Sequence, residues 1–287
     1  MSVDEDLVLK ARDVHWDWDG LPPHWFGGDP FLTHWANVMN MLLPEGEIWF
    51  VKVFRQALPL IRDDRLHEAV TGFIGQEAMH STSHQSVLDH FGRDGFDTGP
   101  FTRQLSWFFE GLLGDRALTG TASRRWLLER VAIVAAIEHV TSFLGDWLLN
   151  ARALDDYGIH PTMLDLFRWH GAEEVEHRSV AFDLFTHLDG GYARRVRTHL
   201  IAYPALFFWW VRGLRFLLAI DPETGEQVKP RWRDWFRRSR KGLMPSPLSV
   251  GKAFFTYFRP SYHPSQYGST DQAVTYLASS PAARAAG

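Results

Sequence analysis

The sequence predicts an all-α protein built around a bundle of four long helices. Strand-like alternation of useful length is absent, whereas apolar residues recur at helical spacing through several long segments. A Glu-x-x-His step occurs twice, as Glu77 with His80 and as Glu174 with His177, and a single glutamate precedes each step. This repeated order indicates two helical hairpins that each contribute half of one site.

The composition fits one large domain. The 287 residues with 45% hydrophobic content are enough to bury a substantial core. We expect residues 1–228 to form the helical bundle with an N-terminal arm. Residues 229–287 should form a basic, aromatic C-terminal extension packed on the same domain.

The absence of cysteine restricts the chemistry. It excludes disulfides, iron–sulfur clusters, thiolate zinc sites and cysteine nucleophiles, which leaves carboxylates and imidazoles as metal ligands. A net charge of −4 gives no reason to expect nucleic acid. The first residues, MSVDEDLVLK, are acidic and lack the apolar run of a signal peptide. We therefore expect a cytoplasmic protein, with the inner-membrane surface as an alternative location.

The first hairpin is predicted from helix start and stop signals. The first helix should span 31–58 and bend or restart at Pro44, because proline fits a first turn and disrupts an interior one. The second should begin at Asp63 or Asp64, which are good N-cap residues, and end at Gly92.

The second hairpin follows a long connection. Residues 92–120 contain several helix breakers and one short helix, QLSWFFEGLL, and they are long enough to run back along the bundle. A third helix near 121–150 is apolar nearly all round except at Glu138, and a buried carboxylate needs a partner. The fourth helix should run from Pro161 to Gly190.

The glutamates and histidines have the spacing of a two-metal site. Residues three apart on a helix are separated by roughly 4.5 Å of rise, so both can reach one ion. Glu47 precedes Glu77 by 30 residues, and Glu138 precedes Glu174 by 36. A solvent-exposed position is the competing interpretation, strongest for Glu47, since acidic residues also favour a helix N-terminus. The predicted metal ligands are Glu47, Glu77, His80, Glu138, Glu174 and His177.

Together with the segment YFRPSYHP, these motifs give the chain a family resemblance. It resembles the ferritin-like di-iron carboxylate superfamily, and more closely a bacterial family described as predicted metal-dependent hydrolases, from about residue 20 to 270. The resemblance implies a ferritin-like four-helix bundle with a long crossover and additional C-terminal helices. It also implies two Fe ions as cofactor, with Mn or a mixed Fe/Mn pair as alternatives.

The resemblance implies roles for individual residues. Glu77 and Glu174 would bridge the ions, and the single glutamates would each be ligands. Glu173 matches an acid that hydrogen-bonds a ligand histidine in several relatives, here expected at the Nδ1–H of His80. Glu176 stands where those relatives often have arginine, so the outer hydrogen-bond network must differ.

His84 follows His80 by one turn, on the same face as Glu77. It could be an extra ligand, a hydrogen-bond donor to a ligand or a proton shuttle, and simple packing is an equal alternative. We take His84 and Glu173 as the candidate catalytic residues. Residues 1–156 contain no tyrosine, which argues against a stored tyrosyl radical.

Two chemistries use such a centre, and a third class is disfavoured. By analogy with related folds we expect a non-haem di-iron oxidase or monooxygenase that activates dioxygen to oxidise a small hydrophobic substrate. The alternative is a dinuclear metal-dependent hydrolase that activates water. Iron storage is disfavoured, since the chain far exceeds a minimal bundle. An electron-donor protein, a homodimeric partner copy and peripheral membrane contact stay open as partners.

The C-terminal region carries a second signal. Residues 200–220 form an apolar helix of near-spanning length, but Pro204, Arg212 and Arg215 argue against a transmembrane segment. Residues 229–241 then hold seven basic residues and one acidic residue, interleaved with aromatic side chains. This pattern fits a segment that meets anionic lipid, a lid over an apolar substrate channel, or a core helix followed by a solvated basic arm.

Overall fold

The computed structural model describes residues 8–93, 95–224 and 230–286. These residues form an all-α structure in which no strand occurs apart from an isolated bridge between Phe26 and Ile159. The predicted fold class is therefore confirmed. The ferritin-like details and the division into a bundle and an extension stay predictions.

The helices follow one another with short connections. In chain order they are α1 (Pro30–Ala57), α2 (Asp64–Arg93), α3 (Gly99–Ser106), α4 (Gly120–Asn150), α5 (Pro161–His177), α6 (Val180–Leu188), α7 (Tyr192–Ile220), α8 (Trp232–Ser239), α9 (Pro247–Thr256), α10 (Thr270–Ser279) and α11 (Pro281–Ala285).

Helix α1 does not restart at Pro44, contrary to the sequence-based expectation. The helix begins at Pro30, where Asp29 accepts a hydrogen bond from the Leu32 amide, and it continues through Pro44 to Ala57. The Pro44 carbonyl accepts a hydrogen bond from the Ser81 hydroxyl of α2 at 3.0 Å. Helix α1 is buried on both sides of Pro44 and packs along α2, so it continues where local preference predicts a restart.

Two other predicted helices are divided differently. The short helix expected around residues 104–113 is an α-helix, α3, that continues as a π-helical turn over Trp107–Leu112. The fourth predicted helix is interrupted directly after His177, which separates α5 from α6. At this break Arg178 donates to the Val175 carbonyl and to Thr270 Oγ1, so the chain turns.

The bundle is built by α1, α2, α4 and α5, which pack as the neighbouring pairs α1 with α2, α4 with α5, α1 with α4 and α2 with α5. Two apolar clusters fill its two ends. On α1, for example, Leu32 belongs to one cluster and Phe54 to the other, and Glu47 lies between them. The predicted ligands on the other three helices lie at the same boundary. The fold therefore places charged residues in the middle of the bundle rather than at its surface.

Helices α4 and α5 approach each other closely at a pair of glycines. A Cβ on Gly145 would lie 2.4 Å from the Gly171 carbonyl oxygen, and a Cβ on Gly171 would lie 3.0 Å from Gly145 Cα. No side chain fits between these backbones without a shift. This contact holds Glu138 of α4 close to the ligand candidates of α5.

We predict that Gly145→Ala destabilises the protein by about 2 kcal/mol, because overpacking a close helix contact forces the backbones apart. Gly251→Ala is the matched control, since nothing lies within 4 Å of a Cβ at this helical position in α9. Removing glycine there should leave the free energy of unfolding unchanged or raise it slightly. Denaturant unfolding measures both, and equal stability of the two variants would contradict the close-contact argument.

Candidate metal centre

Seven side chains from the four bundle helices converge into two groups of possible metal ligands. Within each group the offered atoms lie within 4.8 Å of one another. One group contains Glu47, His80, His170 and Glu174, and the other contains Glu77, Glu138, Glu174 and His177. The structure therefore brings together all six predicted ligands and adds His170.

Glu174 belongs to both groups, and Glu77 also reaches both. Glu77 Oε1 lies 3.3 Å from His177 Nε2 in its own group and 3.7 Å from His80 Nδ1 in the other. Glu77 and Glu174 are thus the two carboxylates that lie between the groups, and their roles as bridging ligands stay a prediction.

Each of the three candidate-ligand imidazoles turns one nitrogen toward the carboxylates while an outer partner holds its other nitrogen, and His170 shows how this is arranged. Asn40 donates through its amide to Asn37, so Asn40 Oδ1 accepts from His84 Nδ1 at 2.7 Å. His84 Nε2 then accepts from His170 Nδ1 at 2.7 Å. This tautomer leaves His170 Nε2 as an acceptor, 2.9 Å from Glu174 Oε1.

His84 itself belongs to neither ligand group. Its two nitrogens are occupied by Asn40 and His170, so its contacts are those of a residue that orients a ligand rather than of an additional ligand.

His80 is oriented by Glu173, as expected, but through the other nitrogen. Glu173 Oε2 accepts from His80 Nε2 at 2.9 Å, not from Nδ1. His80 Nδ1 instead faces the carboxylates, 3.8 Å from Glu174 Oε1. The prediction named the wrong atom because the ring of His80 on α2 points its Nε2 edge across the bundle at α5.

His177 is oriented by a hydrogen-bond network that includes Glu176, the residue that stands where relatives often have arginine. Its Nδ1 donates to Gln76 Oε1 at 3.0 Å, and Gln76 Nε2 donates to Glu176 Oε2 at 2.7 Å. Arg12 of the N-terminal arm donates to Glu176 at 3.0 Å and to Glu173 at 2.6 Å. The Arg12 guanidinium thus bonds both carboxylates, Glu173 beside His80 and Glu176 in the network of His177.

The arm reaches this position along a glycine groove on α2. Leu9 lies against Gly72, where a Cβ would approach to 2.6 Å, and Ala11 lies against Gly75 at 3.2 Å. Larger residues at these two positions would lift the arm and move the Arg12 guanidinium.

The buried polar atoms of the centre are unsatisfied within the described structure. The seven side chains are at most 2% exposed. Both carboxylate oxygens of Glu47 and Glu77, Oε2 of Glu138 and Glu174, His80 Nδ1 and His177 Nε2 have no hydrogen-bond partner. Burying so many unpaired acceptors is costly, and two divalent cations would neutralise the four carboxylates. The donor set therefore fits a pair of metal ions.

Burial and the closeness of the carboxylates also shift the pKa values of these side chains. Burial, followed by neighbouring carboxylates, raises the pKa of Glu47 and Glu77 well above the ordinary value, and burial with Glu174 raises that of Glu138 to about 7. Burial lowers the pKa of His177, but Glu174 and Glu138 outweigh it and raise the pKa to about 10. Without metal the cluster would retain protons that cations replace on binding.

Sequence reasoning missed His170 although a signal was present. His170, Glu174 and His177 are spaced i, i+4 and i+7 on α5, which places all three on one helical face. A search restricted to the Glu-x-x-His step does not include the residue four positions earlier.

In a third cluster a carboxylate accepts hydrogen bonds from two imidazoles. His24 and His34 each direct Nε2 at Asp221 Oδ2, at 2.7 and 2.8 Å. Hydrogen bonds from the two imidazoles satisfy this carboxylate and connect the arm and α1 to the end of α7.

Comparison with known proteins assigns the family. Residues 10–268 match the model of the family described as predicted metal-dependent hydrolase, so the chain belongs to that family. No curated protein and no solved structure matches the chain.

The family corrects the expected reaction. The prediction of a dioxygen-activating oxidase or monooxygenase was wrong, and the hydrolase alternative is the one that the family supports. Carboxylate and imidazole ligands serve both chemistries, so the ligand pattern could not separate them, and the preference for oxidation rested on fold analogy. Metal binding itself is supported by the family and by the buried clusters.

We predict that Glu138→Gln halves the metal content of the purified protein. The substitution keeps the side-chain volume but removes one charged ligand from the group of Glu77, Glu174 and His177. Glu129→Gln, on the same helix but bound to Arg194 and Arg197, is the control and should retain wild-type metal content. Elemental analysis provides the measurement, and full metal content in Glu138→Gln would remove Glu138 from the ligand set.

We predict that Arg12→Gln destabilises the protein by about 2 kcal/mol, since Glu173 and Glu176 then lose their charged donor in a buried position. The metal should also exchange faster with a chelator, because the supports of His80 and His177 loosen. Lys10→Gln, an exposed neighbour in the arm, is the matched control. Identical unfolding and chelation curves for both variants would show that the arm does not support the centre.

Proposed function

We propose that the protein is a hydrolase with a dinuclear metal centre held by the seven buried side chains. The observation that carries this proposal is that imidazole nitrogens and carboxylate oxygens, both hydrogen-bond acceptors, lie close together. Three imidazoles, fixed by Glu173, His84 and Gln76, present lone pairs to four carboxylates at 2.9 to 3.8 Å. Such an arrangement needs positive charge between these groups, which bound protons supply in part and two metal ions would supply in full.

Two divalent ions in this position would polarise a substrate carbonyl or phosphoryl group and lower the pKa of a bound water. The chain's own residues prepare that position. The four carboxylates balance the charge of the ions, and the outer hydrogen bonds hold each imidazole in the tautomer that can bind metal. Iron or manganese fits this mixed oxygen and nitrogen donor set.

The substrate should approach from the side of α4. Thr141 is partly exposed, and its Oγ1 lies 3.4 Å from Glu138 Oε1. A cavity of about 220 Å³ adjoins this region, and its lining includes Ser142, one turn after Glu138, and Arg178, directly after His177. Tyr262 supplies an aromatic wall.

This cavity combines aromatic and polar side chains, including Lys252. It suits a small molecule with an apolar body and one polar hydrolysable group, such as an ester or an amide. Neither this cavity nor the groove between α7 and α8 is lined by any of the seven ligand candidates. We assign the cavity to the reaction because it borders His139 and Arg178, the chain neighbours of Glu138 and His177, whereas the groove borders neither.

The test is hydrolysis without oxygen. Protein loaded with Fe²⁺, Mn²⁺ or Zn²⁺ is assayed anaerobically against a panel of esters, amides and phosphoesters in ¹⁸O-labelled water. We expect metal-dependent turnover with label in the product, a loss of at least tenfold in Glu138→Gln, and wild-type rates in Glu129→Gln. Turnover that requires dioxygen, or no hydrolysis across the panel by protein holding both metals, would overturn the proposal.

A further inference from the structure

Helix α7 exposes an apolar stripe to solvent. It is long and apolar enough to cross a membrane by length and composition, yet only 28% of its apolar stretch is buried. Ala202, Trp209 and Leu217 lie on the face that packs against α1 and α4. On the outer face Ile201 is 59% exposed and Phe208 57% exposed. A contiguous apolar surface of this kind usually marks an interaction site.

Helix α8 extends this surface with aromatic side chains. Trp232 stacks on Phe207 with ring centroids 5.9 Å apart and planes inclined by 4°. Trp232 is nevertheless 62% exposed and Phe236 48% exposed, and α8 has no buried residue. Tryptophan and phenylalanine in such positions can insert between lipid headgroups.

Basic residues border the apolar stripe. Arg212 and Arg215 lie one and two helical turns after Phe208, and α7 contains no acidic residue. Arg215 and Arg231 both line the groove between α7 and α8, so α8 brings its charge to the same surface. Arg238 does not contribute, because it forms an ion pair with Asp29 at 2.7 Å.

We propose that this surface, formed by the outer face of α7 and by α8, binds the headgroup layer of an anionic membrane. Exposed aromatic and aliphatic side chains would enter the interface, and the arginines would attract acidic headgroups. Helix α7 would lie in the plane of the membrane, since its other face packs in the bundle. Crossing the membrane would require removing it from α1 and α4.

A second copy of the chain, or a lid function for α8, fits this surface less well than a membrane does. A second copy packed on this face would have to bury Arg212 and Arg215, and α7 offers no carboxylate to pair with them. The groove beneath α8 is lined by no ligand candidate and by neither His139 nor Arg178, the two chain neighbours that border the 220 Å³ cavity, so a lid there would cover no described route to the centre.

The experiment is co-sedimentation of the full-length protein with phosphatidylcholine vesicles that contain or lack phosphatidylserine. We expect binding to the anionic vesicles that fades as salt is added, and weak binding to neutral ones. Arg215→Gln with Arg231→Gln should weaken binding about thirty-fold, from about fivefold lost per charge. Arg65→Gln with Arg93→Gln, on α2, removes the same charge and should leave binding unchanged.

The apolar contribution is tested separately. Ile201→Ser with Phe208→Ser should also abolish sedimentation, whereas Val274→Ser on α10 should not. All four variants should retain wild-type metal content and unfolding curves, because the substituted residues are exposed. Equal binding to neutral and anionic vesicles, absence of binding, or equal losses in the controls would overturn the proposal. So would a dimer that Ile201→Ser with Phe208→Ser dissociates while no vesicle binding occurs.

Discussion

The structure depends on one electrostatic constraint, which is the burial of four carboxylates at a point that water does not reach. Glu47, Glu77, Glu138 and Glu174 could not remain ionised there without positive charge. The apolar clusters at both ends of the bundle exclude solvent from the centre and so increase the cost of unbalanced charge. Cation binding and folding are consequently linked, and loss of metal should affect the whole bundle.

Each imidazole meets this constraint through a different partner. A carboxylate holds His80, another imidazole holds His170, and a side-chain amide holds His177. These partners differ in charge, so the three nitrogens that face the metals differ in basicity. Arg12 moderates the negative charge of Glu173 and Glu176, which would otherwise add to that of the ligands.

Features that depend on residues close together in the sequence could be predicted, and features that depend on residues far apart could not. Helix periodicity and the paired Glu-x-x-His steps depend on local spacing, and they located the bundle helices and six of the seven converging residues. Pro44 was misjudged because the packing of α1 along α2, which no local pattern reports, outweighs the local preference of proline. Arg12 could not be foreseen, since its partners lie more than 160 positions away and no spacing rule connects an arm to a helix. The reaction class also lay beyond the ligand pattern, which two chemistries share.

The position of Arg12 has a consequence for biosynthesis. The arm is synthesised before α5, so the Arg12 guanidinium gains Glu173 as a partner only when α5 has been translated, 161 residues later. The ligands of α1 and α2 emerge earlier and can supply only Glu47, Glu77 and His80. A nascent chain therefore exposes an incomplete, weakly chelating half-site, and the arm can close over α2 and α5 only at a late stage. The two groups of candidate ligands are therefore complete only after His177 has been translated, so ion binding by the full centre follows the synthesis of α5.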